Sequence, residues 1–149
     1  MSMILNNAQH PLIQKAYELA KKAHQGQVDQ GGHPYILHLI AVSNLVNTVE
    51  EKVVALLHDI VEDTRVTLDE LRNLFTQEIV EAVDAMTKRE GVEPFLGYLK
   101  RAKANPIARK VKIADMIHNS DLSRLPFPPR EEDLQREEKY QLAIEWMKA

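Results

Sequence analysis

Residues 50–64 read EEKVVALLHDIVEDT, and this stretch decides how the rest of the chain is interpreted. An apolar run, VVALL, is followed directly by His58 and Asp59, and after two more apolar residues come Glu62 and Asp63. In one continuous helix with 3.6 residues per turn, Glu62 lies one turn after His58 and Asp63 one turn after Asp59. A His nitrogen and the neighbouring Asp oxygen can then meet at one cation. The pattern predicts a polar site on an otherwise buried helix.

An ordinary structural explanation of the same residues is that His58 is a satisfied core histidine and that the carboxylates form a solvated helix end. A His-Asp pair alone is weak evidence for a site, because short motifs match by chance. The carboxylates count against this explanation, since the C-terminus of a helix disfavours negative charge. We therefore expect a positively charged partner for them.

Length and composition indicate the class of protein. The 149 residues, 44% of them hydrophobic, suit a single domain over residues 1–149. The absence of cysteine excludes disulfides, thiolate zinc sites and a thiol nucleophile, so a metal must be held by nitrogen and oxygen. The net charge of -3 argues against nucleic acid as a partner. No run is long enough to span a membrane and no signal peptide is evident, so we expect a cytoplasmic protein without a membrane partner.

The chain divides into a series of helices and contains no convincing strand. Apolar residues at helical spacing, together with proline and capping residues, predict a first helix from Pro11 to a C-terminal cap at Gly26. They predict further helices over residues 34–46, 50–64, 67–75, 76–88, 94–104, 106–125 and 130–148. The predicted fold class is all-α, a compact multi-helix bundle. The pattern makes no prediction of the oligomeric state.

Four ionisable residues lie among apolar neighbours in these helices: His38, His58, Asp59 and Asp115. A buried carboxylate is costly unless it is paired or bound to a cation. For Asp115 alone, a salt bridge to Lys112, one turn back, explains the pattern equally well. Each residue by itself is weak evidence for a metal site.

The order and context of this set resemble a known family, the HD-domain phosphohydrolases, which hold a divalent metal with an H…HD…D set. Three segments carry the resemblance. HPYILHLIAVS (33–43) resembles PYI-x-H, LLHDIVEDT (56–64) resembles LLHD-x-VEDT, and KIADMIHN (112–119) resembles K-x-AD-x-x-(H/Y)-N. These three segments are most similar to the motifs of the guanosine tetraphosphate 3′-pyrophosphohydrolases. That branch comprises the hydrolase half of the long alarmone enzymes and their small relatives. The resemblance covers about residues 10–125 and implies an HD-domain bundle.

The resemblance also implies roles for individual residues. The implied metal ligands are His38, His58, Asp59 and Asp115. Two imidazoles and two carboxylates suit manganese or iron, zinc can bind as well, and the family branch implies Mn²⁺. Glu62 is expected to take a proton from the attacking water, with Asp63 as its partner. Asn119 is expected to hold that water or a phosphate oxygen, although a structural helix hydrogen bond is an equally good explanation.

Three residues are candidate contacts for the substrate: Lys112, Asp29 and Tyr35. Lys112 is the best placed cation for a phosphate, since it lies one turn from Asp115. The loop GQVDQGGHPY (26–35) resembles GQFRKSGEPY of the long enzymes, but Asp29 and Gln30 replace the basic pair that helps to hold the guanine nucleotide there. An acid pointing inward would repel phosphate, so we expect poorer guanine discrimination, and a lower KM after Asp29→Arg with Gln30→Lys.

The expected function is therefore metal-dependent hydrolysis of guanosine 3′,5′-bis(diphosphate), a small phosphorylated nucleotide, with release of pyrophosphate. One alternative is the same chemistry on another nucleotide or phosphoester. A second is a metal or nucleotide sensor without turnover, which has no need of Glu62 and Asp63 beside a complete ligand set. The simplest alternative, an all-helical interaction module, predicts no stoichiometric metal.

Overall fold

The computed structural model describes residues 4–89, 91 and 93–149, and the elements formed by these residues are helical. The helices are α1 (Pro11–Ala23), α2 (Tyr35–Asn44), α3 (Val49–Leu57), α4 (Ile60–Asp63), α5 (Leu68–Leu74), α6 (Gln77–Met86), α7 (Phe95–Ala104), α8 (Pro106–Asn119) and α9 (Glu131–Lys148). A 3₁₀ turn at Leu122–Arg124 follows α8. Among the described residues, β pairing amounts to one isolated bridge between Val28 and Pro34. The predicted all-α class is confirmed.

Helix α3 lies at the centre of the bundle, where it packs against α1, α2, α6 and α8. The run VVALL at residues 53–57 is fully buried. A capping box begins the helix: Thr48 Oγ1 accepts the N–H of Glu51, and the Glu51 carboxylate accepts the N–H of Thr48. These two bonds satisfy N–H groups that lack a partner in the first turn of a helix. The apolar run at residues 53–57 therefore lies at the centre of the hydrophobic core.

The predicted continuous helix over residues 50–64 is wrong, because α3 ends at Leu57 and α4 begins at Ile60. His58 and Asp59 occupy the break. The ring of His58 turns back on its own helix, so that Nδ1 lies 2.6 Å from the carbonyl oxygen of Ala55. In a continuing helix that carbonyl would accept the N–H of Asp59. Since the imidazole takes its place, the helix stops here without leaving the buried carbonyl unpaired.

Helix α8 carries Asp115 and Asn119, the candidate site residues that come last in the chain. Asn105 caps its start, where Oδ1 accepts the N–H groups of Ile107 and Ala108 at 3.1 and 3.0 Å. The helix was expected to continue to residue 125, but it ends at Asn119. In the following turn Asp121 Oδ1 accepts both the N–H and the hydroxyl of Ser123, at 3.0 and 2.6 Å. Such local side-chain bonds compete with the helical ladder.

Helix α9 packs along α8 and buries Ala143, Ile144 and Met147. Lys103 on α7 fixes its far end by donating to the carbonyl oxygen of Trp146 at 2.9 Å, with Nζ 4.3 Å from the centre of that ring. Because α9 packs along α8, it also lies beside the turn that follows α8. In the part of the chain that the structure describes, no helix is both long and apolar enough to cross a membrane.

Candidate metal and active site

Four side chains from three segments converge in one cluster: His38 on α2, His58 and Asp59 at the break after α3, and Asp115 on α8. One ligand atom from each lies within 4.8 Å of the others. The Nε2 atoms of His38 and His58 lie 2.9 and 3.2 Å from the same oxygen, Asp115 Oδ1. His58 Nε2 is also 3.1 Å from Asp59 Oδ2. Both histidines are 1% exposed, whereas the side chain of Asp59 is 19% exposed, so the cluster is buried and reaches solvent on the Asp59 side. The structure thus brings together the four residues that the resemblance names.

Contacts outside the cluster orient both imidazoles. Because the carbonyl of Ala55 can only accept, His58 must donate to it from Nδ1, which leaves Nε2 of the neutral ring as a lone pair facing the carboxylates. His38 also turns Nε2 toward the cluster, with Nδ1 directed away. A histidine that binds a metal usually donates its other N–H to a neighbour in this way.

The outer partner of His38 is His118, whose Nδ1 lies 2.7 Å from His38 Nδ1. Burial and the nearby Arg124 lower the pKa of His118 to about 4, so this ring is neutral near pH 7 and can accept the N–H of His38. The sequence analysis assigned no role to His118. Its spacing of three residues after Asp115, on the same side of α8, is the signal that points to this contact.

The electrostatics of the cluster favour a cation between its carboxylates. Burial opposes a charge on His58, but Asp59 and Asp115 outweigh it and raise the pKa of the imidazole well above its usual value. Burial also disfavours the charged form of Asp115, yet Lys112 and His58 hold the pKa of this carboxyl well below its usual range. A divalent cation meets the same demand for positive charge when His58 is deprotonated. The two imidazoles and two carboxylates therefore fit a divalent metal.

Lys112 is buried beside Asp115, with Nζ 3.1 Å from Oδ2 and 5.0 Å from the centre of the Tyr98 ring. The salt bridge considered from the sequence is thus present. It supplies one of the positive charges that keep Asp115 ionised in the core. A contact between Lys112 and a substrate phosphate stays a prediction.

Glu62 and Asp63 lie on α4 at the solvent side of the cluster, and both residues are exposed. The Glu62 carboxylate accepts the backbone N–H of Lys88, from the segment between α6 and α7. Although the residues are exposed, protein atoms partly surround their carboxyl groups, and this loss of hydration together with the charge of Asp59 raises the pKa of both. A carboxylate with a raised pKa next to a metal site is suited to accept a proton.

Tyr35 and Asn119 hold the carboxylates of the cluster. The hydroxyl of Tyr35 donates to Asp59 Oδ2, and Asn119 Nδ2 donates to Asp115 Oδ1 at 3.2 Å. Burial and the charge of Asp59 raise the pKa of Tyr35, so its hydroxyl stays protonated as a donor. For Asn119, this bond is the structural helix hydrogen bond that the sequence analysis gave as one of two explanations of the residue.

A cavity of about 320 Å³ opens beside the cluster. Tyr35 and Asn119 line it, so the cavity and the cluster share a wall. The other walls come from the loop before α2, the turn after α8, and two residues of α9, Arg136 and Tyr140. Sequence reasoning did not select these residues of α9 as part of a site.

Asp29 in this cavity is not the free negative charge that the loop comparison suggested. Its Oδ1 accepts the N–H groups of Gly31 and His33 at 2.9 and 3.0 Å, and its Oδ2 accepts Nη2 of Arg124 at 2.9 Å. Although burial favours the neutral acid, these bonds hold the pKa of Asp29 below its usual value. The ion pair with Arg124 compensates the charge of Asp29 within the protein, and the Asp29 side chain is only 12% exposed.

Known proteins resemble this chain in both sequence and fold. The chain is 33% identical over 133 residues to a probable GTP pyrophosphokinase of Mycobacterium leprae, covering 81% of this chain and 17% of the relative. It is 34% identical over 131 residues to a guanosine-3′,5′-bis(diphosphate) 3′-pyrophosphohydrolase of Borreliella burgdorferi, covering 76% and 19%. Over 123 residues it is 30% identical to the bifunctional (p)ppGpp synthase/hydrolase SpoT of Escherichia coli, covering 72% and 17%. The chain spans less than a fifth of the length of these relatives.

The solved structure of a metazoan ortholog of SpoT that hydrolyses ppGpp superposes with a TM-score of 0.75 at 22% identity, covering 92% of this chain and 83% of that chain. At this identity the likeness shows a shared fold. The family model described as HD domain matches residues 16–118, a range that contains all four residues of the cluster. The predicted resemblance, including that to the ppGpp hydrolase branch, is confirmed. The chain belongs to the HD-domain family.

Proposed function

We propose that the chain hydrolyses guanosine 3′,5′-bis(diphosphate), with water attacking the phosphorus next to the 3′ oxygen and with guanosine 5′-diphosphate and pyrophosphate as products. The observation that carries this proposal is the buried His and Asp cluster with an acidic pair on its open side. The similarity to a relative named for the same reaction supports the choice of substrate.

His38, His58, Asp59 and Asp115 would hold the metal. Their nitrogen and oxygen donors suit manganese or iron, and we propose Mn²⁺ because the resemblance to the ppGpp hydrolases implies it. When bound, such an ion polarises the phosphoryl group and makes water a better nucleophile near neutral pH. Glu62 accepts the proton of the attacking water, and the Lys88 N–H orients its carboxylate.

The cavity beside the cluster is placed to receive the nucleoside part of the ligand. Its volume of about 320 Å³ lies at the lower end of the range for small-molecule pockets, about 300 to 1,000 Å³. Because Tyr35 and Asn119 border both the cluster and the cavity, one nucleotide can place a phosphate at the cluster and its base in the cavity. This arrangement favours a phosphorylated nucleotide over an inorganic phosphate compound.

A second candidate is the same metal-dependent chemistry on a different nucleotide or phosphoester. It is favoured by the loop before α2, where Asp29 and Gln30 replace the basic pair that the resemblance leads us to expect.

The test is a substrate panel assayed with manganese and with a chelator. It comprises guanosine 3′,5′-bis(diphosphate), other 3′-phosphorylated nucleotides, nucleoside 5′-monophosphates and a generic phosphodiester. We expect chelator-sensitive release of pyrophosphate from guanosine 3′,5′-bis(diphosphate). Turnover of monophosphates or phosphodiesters alone would support the second candidate, and bound metal without any turnover would indicate a sensor.

A further inference from the structure

Arg124, in the turn after α8, is held rigidly at the wall of the cavity. Its Nη1 donates to the carbonyl oxygen of His118 at 2.8 Å, and its Nη2 donates to Asp29 Oδ2 at 2.9 Å. The side chain is 26% exposed, and the residue lines the cavity. A guanidinium bonded along its edge keeps a planar face on which a flat ring can stack.

The cavity is balanced in charge, which argues for an uncharged group as its occupant. Its charged lining residues are two acids and two arginines: Asp29, Asp121, Arg124 and Arg136. Both arginines are engaged by carboxylates, since Arg136 Nη2 donates to Asp133 Oδ1 at 2.9 Å. Leu122 and Tyr140 add apolar surface to the walls. A phosphate group needs uncompensated cations, whereas a pocket of apolar walls and a few polar groups suits a base.

We propose that Arg124 determines substrate specificity by stacking on the base of the nucleotide, and that Asp29 positions the Arg124 guanidinium for this contact. This inference rests on the proposed function, because it takes the substrate to be a nucleotide with its phosphate at the cluster. Asp29 contributes through Arg124 and has no contact of its own with the base.

The proposal reverses the expectation drawn from the loop sequence. Asp29→Arg would remove the carboxylate that pairs with Arg124. It would also place a second guanidinium group beside Arg124, and the two like charges would repel each other. It would also remove the acceptor for the N–H groups of Gly31 and His33. We therefore expect Asp29→Arg to raise the KM for guanosine 3′,5′-bis(diphosphate) rather than lower it.

The experiment measures KM and kcat for guanosine 3′,5′-bis(diphosphate) with manganese in five variants: Arg124→Ala, Arg124→Lys, Asp29→Ala, the double alanine variant and Arg72→Ala. We expect Arg124→Ala to raise KM about 2- to 30-fold, the range for a cation stacked on a ring, with a smaller change in kcat. Arg124→Lys keeps the charge without the planar face, so we expect it to leave KM raised. Arg72, an exposed arginine paired with Asp69 on α5, is the matched control and should leave KM unchanged.

The two alanine substitutions also form a double-mutant cycle. If Asp29 acts only through Arg124, Asp29→Ala raises KM in the wild-type background and adds nothing in the Arg124→Ala background. If the fold-changes in KM of the two single variants instead multiply in the double variant, Asp29 does not act through Arg124. If circular dichroism shows that Arg124→Ala does not fold, the KM of Arg124→Lys becomes the test of the stacking contact.

Binding of guanosine 5′-diphosphate, measured by calorimetry, separates this inference from the proposed function. Binding that is weakened by Arg124→Ala in a protein without hydrolase activity would overturn the function and support the contact. Hydrolysis with an unchanged KM in Arg124→Ala and Arg124→Lys would overturn the contact and support the function. A wild-type protein that neither binds nor hydrolyses overturns both.

Discussion

Glu62 is the residue whose surroundings most directly suggest a catalytic base. It lies at the solvent side of the cluster, its pKa is raised, and the Lys88 N–H orients its carboxylate. We expect Glu62→Gln to retain the metal and to lose about 10² to 10⁴ in kcat, since the amide keeps the shape but cannot accept a proton. Metal content and kcat of the same preparation check this. Unchanged turnover would transfer the role of proton acceptor to Asp63.

The raised pKa of Glu62 also predicts how activity responds to acid. Loss of hydration and the charge of Asp59 favour the protonated form, which cannot act as a base. Activity should therefore be full above the raised pKa and fall as pH drops through it, at a higher pH than an unperturbed glutamate would give. The check is kcat/KM against pH at saturating manganese, since protonation of His58 also weakens metal binding. A profile that falls only at the pH where an unperturbed glutamate becomes protonated, or lower, would contradict this role.

At the residue scale, sequence alone was informative where a polar residue interrupts an apolar face, as His38 and Asp115 do. It was not informative where a role depends on a distant partner. His118 meets a residue 80 positions away, and Arg124 meets one 95 positions away. The helical period places residues on a face but does not pair the faces of different helices.

At the scale of elements, periodicity located the helices better than their ends. The helix predicted over residues 50–64 is interrupted because the His58 side chain takes over a carbonyl of α3. The helix predicted to reach residue 125 ends early because the Asp121 side chain bonds within the next turn. Both interruptions involve side-chain hydrogen bonds, which apolar spacing does not report. Both also serve the site, since one sets the ring of His58 and the other brings Arg124 to the cavity.

The start of α8 offers a test of how local capping supports the site. Asn105 accepts two N–H groups there, so we expect Asn105→Ala to lower the free energy of unfolding by about 1 kcal/mol. Asn105→Ser, which keeps a capping oxygen, should lose much less. Urea denaturation of the metal-free variants measures the difference. Equal losses in both variants would show that the cap is not the cause.

At the scale of the whole molecule, the cluster links segments that are distant along the chain: α2, the break after α3, and α8. A metal that binds only the folded chain stabilises it by mass action, by about 2.7 kcal/mol at a concentration 100 times its dissociation constant. We expect manganese to raise the Tm of the wild-type protein and a chelator to reverse the rise. Asp59→Ala removes the most exposed ligand of the four and should abolish the shift. An equal shift in that variant would place the bound metal elsewhere.

The central claim is that His38, His58, Asp59 and Asp115 form one metal site, and the metal stoichiometry of purified protein tests it most directly. Protein loaded with manganese and freed of excess ion should contain one manganese per chain. The folded variants Asp59→Ala and Asp115→Ala should contain much less than one. Folded variants that keep the wild-type metal content would contradict the claim.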